Sequence, residues 1–277
     1  MVKSAIPGCD RPIMRELLYA LPAPLIALLL LASLASITWA GLRLGRRRAG
    51  TGAEAYCAHV SAAQGSLLGL LALLMGFTFS MSLQRYDARS QALVEEANAI
   101  GTTWLRAGLL PEPVAAQTKA LLRDYTHLRV EAGSISLDQA GDRAAVNARA
   151  IAVQDQLWQQ ARQTAELDKS PVTSGLYIQA LNGMIDAFGA RDALLARHVP
   201  ELVLLLLYGT ILLTGAVTGY TCGLNGHRPS TVAHLFGLLI VLVAMIIIDV
   251  DRPRRGFITV DPTPMLTLKD SIDAALK

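Results

Sequence analysis

The sequence predicts an all-α integral membrane protein with four transmembrane helices and a soluble antiparallel helical bundle inserted between the second and the third. Composition is the first observation behind this prediction, because 52% of the 277 residues are hydrophobic, only 17% are charged, and the mean hydropathy is +0.39. Soluble domains are less apolar than this. The other two observations are four long apolar runs and a long amphipathic segment between the middle two.

The four apolar runs cover residues 25–42, 60–84, 200–220 and 231–248, and each is long enough to cross a bilayer. The first run is too long for the apolar part of a secretory signal and leads into three consecutive arginines, so we expect it to be a retained span. Glycines at four-residue spacing on the second and third runs predict close helix packing: Gly65 and Gly69 on one, and Gly215, Gly219 and Gly223 on the other.

The segment 85–198 keeps the periodicity of helices. The pattern continues out of the second run until Pro111 and Pro113 break it, and further helices are separated by a turn at 133–136 and by Ser170, an N-cap followed by proline. About four antiparallel helices are expected. Two of them carry apolar packing seams, Val146, Ala150, Val153, Leu157, Ala161 and Thr164 on one and Tyr177, Leu181, Met184 and Phe188 on the other.

These elements predict four parts of the chain. Residues 1–84 hold a lead-in and the first two transmembrane helices, 85–198 the soluble helical bundle, 199–250 the third and fourth transmembrane helices, and 251–277 a short tail. With four spans, the bundle and both termini share one side of the membrane.

Positive charge predicts which side of a cell (inner) membrane the bundle occupies. The side of the bundle and termini has ten basic residues near span ends: Lys3, Arg11, Arg15, Arg85, Arg89, Arg191, Arg197, Arg252, Arg254 and Arg255. The other side has five: Arg43, Arg46, Arg47, Arg48 and Arg228. The total favours a cytoplasmic bundle and cytoplasmic termini, whereas the arginines directly after the first run favour the reverse locally.

The second run carries an apolar stripe, Leu73, Phe77 and Met81, at four-residue spacing. Such a stripe faces lipid or protein core in most helices, but an apolar ring can also form the constriction of a channel. Beyond the run lies a motif at the expected membrane boundary, made of Arg85, Tyr86, Asp87, Arg89, Glu95, Glu96 and Asn98. The pair Glu95-Glu96 suits an acidic ring in an oligomer or, as we favour, a solvated helix face.

A second charged motif ends the fourth run and comprises Asp249, Asp251, Arg252, Pro253 and Gly256. Acids at a helix carboxyl end oppose the helix dipole and need a partner. Two interpretations stay open, a paired and capped helix terminus or a charged stop-transfer flank with arginine as the partner.

No pattern in the sequence predicts catalysis, a cofactor or a metal site. The three cysteines and five histidines are widely spaced, without a C-x-x-C or H-E-x-x-H motif. The net charge of +3 comes from arginines beside apolar runs, which excludes a nucleic-acid surface. An intramembrane enzyme would need polar groups within the spans, where Thr78, Ser80, Thr210 and Thr214 are expected to bond to their own helices. We therefore expect a protein that is not an enzyme.

Two stretches carry a resemblance to a known family. LLALLMGFTFSMSLQRYDARSQALVEEANAIGTTWLRAGLLP (residues 70–111) and IIIDVDRPRRGFITV (246–260) resemble the bacterial bestrophin-like domain family, and more distantly the bestrophins. The resemblance implies two spans, a helical domain and two more spans. Bestrophins are pentameric ion channels with an apolar neck on the second span, which would place Leu73, Phe77 and Met81 in the neck. Their paired tryptophans and calcium-clasp acids have no counterpart here, so calcium gating is not implied.

Two functions follow as hypotheses. The first is a homo-oligomeric, bestrophin-like ion channel in the lipid bilayer, pentameric by analogy, whose pore is lined by the second span. The alternative is a non-conducting membrane scaffold or sensor whose bundle binds a partner through its apolar seams.

Overall fold

The computed structural model describes residues 23–49, 54–135, 139–252 and 258–276. These residues form helices and connecting turns, with no β-strand among them. The helices are α1 (Ala23–Arg48), α2 (Glu54–Ala107), α3 (Val114–Ser134), α4 (Ala140–Leu167), α5 (Ser174–Leu195), α6 (Glu201–Leu224), α7 (Thr231–Asp251) and α8 (Thr263–Ala275).

Four of these helices, α1, α2, α6 and α7, have the length and apolar composition needed to cross a membrane. They contain the four predicted runs except for Pro200, which is the N-cap of α6. The all-α class and the four candidate spans are therefore confirmed. Three of the four predicted hydroxyl bonds within the spans are confirmed: Thr78 donates to the carbonyl of Leu74 at 2.7 Å, and Thr210 and Thr214 bond one turn back in the same way.

The chain divides into two compact units. The span unit comprises the described residues of Met1–Leu83 and Val199–Arg252, and the helical unit comprises those of Gln84–His198 and Pro253–Lys277. The last 25 residues, expected to be a simple tail, contribute α8 to the helical unit. Pro262 occupies the N-cap of α8 and Pro264 its first turn, so these prolines begin a helix instead of preventing one.

Within the span unit, α1 and α6 approach each other through glycine. A Cβ on Gly219 would collide with the carbonyl of Thr38, and a Cβ on Gly223 would collide with that of Leu42. Gly41 and Gly45 of α1 meet the α6 backbone in the same way. The predicted close-packing face of the third span is therefore confirmed, because only glycine lets the two backbones come this near. The contribution of α1 to that face was not predicted.

The helical unit has a continuous apolar core. Leu122 and Tyr125 of α3, Leu157 of α4, and Tyr177 and Leu181 of α5 are completely or almost completely buried in it. Both predicted seams contribute to this core. The seams are thus used within the chain and are not surfaces on which a partner could dock.

Two predicted helix boundaries in this unit are wrong. Helix α5 begins at Ser174, not beside Ser170, because residues 171–173 form a turn that Asp168 holds by accepting from the Ser170 amide at 2.9 Å. Hydrogen bonds from Thr173 and from the amides of Ser170 and Ser174 keep the pKa of Asp168 below its usual value. Gly133 and Ser134, expected in a turn at 133–136, are the last residues of α3, and Ser136 lies outside the described residues.

Candidate functional site on helix α2

Helix α2 has 54 residues, and from Leu71 onward it has two contrasting faces. One face is buried: Leu71 and Met75 pack in the core of the span unit, and Leu93 and Ile100 are buried in the helical unit. The opposite face is exposed in the single chain. Its residues recur at steps of three and four and are called the α2 stripe: Leu73, Phe77, Ser80, Gln84, Asp87, Gln91, Glu95, Asn98, Thr102 and Leu105.

The predicted constriction residues differ in position. Leu73 and Phe77 lie on the α2 stripe with 55% and 63% of their surface exposed, whereas Met81 is half-buried. The cause is geometric, because each step of four residues turns a helix about 40° past a full turn. Ser80, not Met81, therefore continues the line of Leu73 and Phe77.

Glycines lie beside the stripe in the span. A Cβ placed on Gly65, Gly69 or Gly76 would meet no atom of the described residues within 4 Å. The described residues thus do not make the close packing predicted at Gly65 and Gly69. These positions are small and uncovered, unlike the glycines of α6.

Arg89, predicted on a polar face, is instead buried in the helical unit. Its guanidinium donates to the carbonyl of Arg197 at 2.6 Å and contacts that of Leu194 at 3.5 Å, which ties the end of α5 to α2. Asp87 is exposed, Arg85 and Tyr86 are half-buried, and the Tyr86 hydroxyl lies 3.5 Å from the carbonyl of Thr259.

Glu95 and Glu96 have opposite environments, which corrects the prediction of a shared solvated face. Glu95 and Asn98 are exposed, but Glu96 is completely buried and forms ion pairs with Arg129, at 2.6 Å, and with Arg191. Arg129 also donates to Asn147 at 3.0 Å. We call Glu96, Arg129 and Arg191 the buried ion cluster. Since both arginines are buried, the single carboxylate offsets a large desolvation penalty.

Aromatic groups surround the buried ion cluster. The Arg129 guanidinium lies 4.5 Å from the ring centroid of Phe188, within cation–π range. Burial, together with the nearby Glu96 carboxylate, raises the pKa of Tyr125, whose oxygen accepts from Gln154 at 3.0 Å. The cluster is therefore enclosed by protein groups and has the character of a structural element of the helical unit.

The second charged motif lies at the end of α7. Asp249, Asp251 and Arg252 are all buried, and Asp251 accepts from the Val199 amide at 2.9 Å. This bond links the end of α7 to the segment that begins α6. Pro253 and Gly256, the remaining members of the predicted motif, lie outside the described residues. No three His, Cys, Asp or Glu side chains among the described residues are grouped closely enough to hold a metal ion.

Comparison with known proteins gives the family. The Bestrophin-like domain matches residues 28–265, which is most of the sequence. The chain belongs to the Bestrophin-like domain family. No match was found among curated proteins.

Solved structures show that this bestrophin-like chain has the fold of bacterial bestrophin homologues. A point mutant of the homologue from Klebsiella pneumoniae is 16% identical and superposes with a TM-score of 0.63 over 89% of this chain and 95% of that chain. The structure of that homologue phased with zinc is 17% identical, with a TM-score of 0.59 over 91% and 96%. The family resemblance predicted from the two motifs is confirmed.

One signal in the sequence of this bestrophin-like protein could have located the buried charges. Arg89, Leu93, Glu96 and Ile100 follow one another at steps of four, three and four, so all four share one helix face. Charged residues that interrupt an apolar face are candidates for buried ion pairs. The identity of the partners, Arg129 and Arg191, depends on tertiary packing and had no sequence signal.

Proposed function

We propose that this chain is the subunit of a homo-oligomeric ion channel whose pore is lined by α2, with Phe77 at the constriction. The observation that carries the proposal is the α2 stripe. A single chain leaves this face exposed from Leu73 to Leu105, while Leu71, Met75, Leu93 and Ile100 on the opposite side of the helix are buried. A ring of copies around an axis would give every position of the stripe a common environment.

The composition of the stripe supports a pore. Within the span it presents Leu73 and Phe77, and an apolar ring of this kind controls water entry and therefore ion flow. After the span it becomes polar and includes Asp87 and Glu95, which suit a wetted passage beyond the constriction. The uncovered Gly69 gives the helix of a neighbouring copy room to approach.

The number of copies is proposed by resemblance. Bestrophins are pentamers, and the fold likeness to bacterial bestrophin homologues makes five the expected number here. Native mass spectrometry of the detergent-purified protein tests this: a ring of five supports the channel, and a monomer or dimer contradicts it.

Phe77→Ala tests the pore directly. In reconstituted vesicles we expect a several-fold rise in ion flux, because the smaller side chain widens and wets the constriction. Phe79→Ala is the matched control, since Phe79 is also exposed on the span but lies about 200° around the helix from Phe77. An equal effect of the two substitutions, or no flux in any variant, would contradict the assignment.

We also propose that the helical unit is soluble and lies in the cytoplasm with both termini, as the total of basic residues favours. Gln139 is exposed and close to the amino end of α4, so Gln139→Cys gives a reporter of sidedness. A membrane-impermeant thiol reagent should fail to label it in intact cells and should label it after lysis. Labelling in intact cells reverses the orientation.

The scaffold alternative loses support from the packing. Its recognition surfaces were the seams on α4 and α5, and these lie in the core of the helical unit. Binding a partner through them would require the unit to open.

A further inference from the structure

The span unit contains a large apolar cavity that the proposed channel does not use. Its volume is about 630 Å³, and it is bounded by α1, α2, α6 and α7. Leu31, Leu68, Ile211 and Phe236 are among its walls. Ligand sites of proteins are concave, mostly apolar and roughly 300–1,000 Å³ in volume, so both size and lining suit a ligand with a long hydrocarbon part.

One end of the cavity is polar. Gln64 donates to the Thr218 hydroxyl at 3.1 Å, and Nδ1 of His234 lies 2.9 Å from the Ser230 carbonyl; all four residues line the cavity. Because a carbonyl only accepts, Nδ1 of His234 is the donor in this contact. A ligand would thus have its apolar part among leucines and its polar part beside these side chains.

Positive charge is concentrated at the same end. The Arg43 guanidinium stacks on Trp39, a lining residue, at 3.7 Å from the ring centroid. Arg228 is exposed and directly precedes Pro229, another lining residue. Among the described residues that line the cavity there is no acidic side chain. Arginine is the side chain best suited to a phosphate group, and tryptophan commonly lies at the level of lipid headgroups.

We propose that this cavity binds an anionic phospholipid of the surrounding bilayer, with one acyl chain in the apolar part and the phosphate held by Arg43 and Arg228. An apolar cavity alone would accept any acyl chain, and surface arginines alone would attract any anionic headgroup. The two side by side, within a membrane-crossing unit, select a ligand that has both parts. The inference does not require the chain to conduct ions.

Trp39 supplies a direct reporter of occupancy. The chain has three tryptophans, so Trp104→Phe with Trp158→Phe leaves Trp39 as the source of indole fluorescence. The probe is phosphatidylglycerol with brominated acyl chains, added to the full chain in detergent, because bromine quenches an indole that it touches. We expect saturable quenching, with brominated phosphatidylcholine requiring about tenfold higher concentration. Native mass spectrometry of the unsubstituted chain gives the same preference without fluorescence and covers the case in which the double variant fails to fold.

Three variants locate the site. Ala35→Leu projects into the cavity from α1 and should reduce quenching by both lipids. Arg43→Gln with Arg228→Gln should remove most of the preference for phosphatidylglycerol and leave phosphatidylcholine binding unchanged. Arg47→Gln with Arg48→Gln is the matched control, because it removes the same charge from the end of α1 and should keep the preference.

Three outcomes would overturn the proposal. Equal quenching by the two lipids would mean that no headgroup is recognised. If both arginine double variants lost the preference for phosphatidylglycerol equally, the preference would come from the general surface charge and not from Arg43 and Arg228. Absence of quenching by either lipid in an intact oligomer would mean that a second copy of the chain covers the cavity.

Discussion

The span unit joins α1 to α6 by omitting side chains, whereas the helical unit joins α2, α3 and α5 through a buried ion cluster. The span unit also buries charge, but at the end of α7. In the span unit, Gly219 and Gly223 have no room for a Cβ against the backbone of α1. In the helical unit, the buried Glu96 carboxylate forms ion pairs with two buried arginines. Each solution fits its setting. Helices in lipid gain little from apolar burial and associate through close backbone packing, while a buried ion cluster tolerates few alternative arrangements.

The largest expected effect is in the buried ion cluster. Glu96→Ala removes the carboxylate that Arg129 and Arg191 share, and leaving buried arginines without it should cost about 3–5 kcal/mol of unfolding free energy. The neighbouring acid gives the control, because Glu95 is exposed and Glu95→Ala should stay within about 0.5 kcal/mol. Denaturant unfolding of the purified protein measures both. Similar values for the two variants would mean that the cluster contributes little.

A smaller effect is expected in the span unit. Gly219→Ala forces a methyl group into the Thr38 carbonyl, and overpacking of this kind costs about 1–3 kcal/mol. Gly69→Ala is matched in chemistry but meets open space in the single chain, so its stability as a monomer should be nearly unchanged. Thermal unfolding in detergent compares the two. If Gly69→Ala instead weakens assembly alone, that would place α2 against a neighbouring copy.

The smallest effect is expected at the edge of the helical unit, where Asp273 of α8 meets His127 at 2.9 Å and Arg123 at 2.7 Å. These hydrogen bonds hold the pKa of Asp273 below its usual range. A depressed folded pKa means that the stabilisation is complete above the unfolded value of about 3.9 and is lost as the pH falls toward the folded value.

Asp273→Asn should therefore lower the melting temperature at pH 6 by about 1–3 °C and flatten its decline below pH 4. Thermal scans between pH 2.5 and 6 measure this. The reference is Asp270→Asn, an exposed acid on the same helix. If the melting temperature of Asp273→Asn still fell below pH 4 as steeply as that of the unsubstituted protein, other carboxylates would account for the loss of stability in acid.

Features that depend on a local sequence pattern could be predicted from the sequence alone. The four spans follow from run length and composition, and the packing face of α6 follows from Gly215, Gly219 and Gly223. The same spacing at Gly65 and Gly69 predicted a contact that is not found in the part of the chain that the structure describes. A glycine repeat indicates that a helix can approach closely, but the neighbour is decided by the tertiary arrangement.

The buried charges and the last helix could not be predicted from the local sequence pattern, and the reasons differ. Glu96 was assigned to solvent because its neighbour Glu95 is acidic, although successive residues on a helix point about 100° apart. Helix α8 has only 13 residues and depends on burial of Met265 and Ile272 in a core assembled from distant segments. In the candidate site, Leu73 and Phe77 lie on the α2 stripe. Met81 does not, because a constant spacing of four residues turns gradually away from one helix face.

The glycine contact between α1 and α6 can form only late in the synthesis of the chain. Gly41 and Gly219 are 178 positions apart in the chain, so the ribosome must translate the whole intervening segment before the two can meet. At about 5–20 residues per second, this delay is roughly 10–35 s. In a nascent chain arrested before residue 201, we therefore expect cross-linkers introduced at positions 41 and 45 to react with lipid or with the insertion machinery, because α6 has not yet been made.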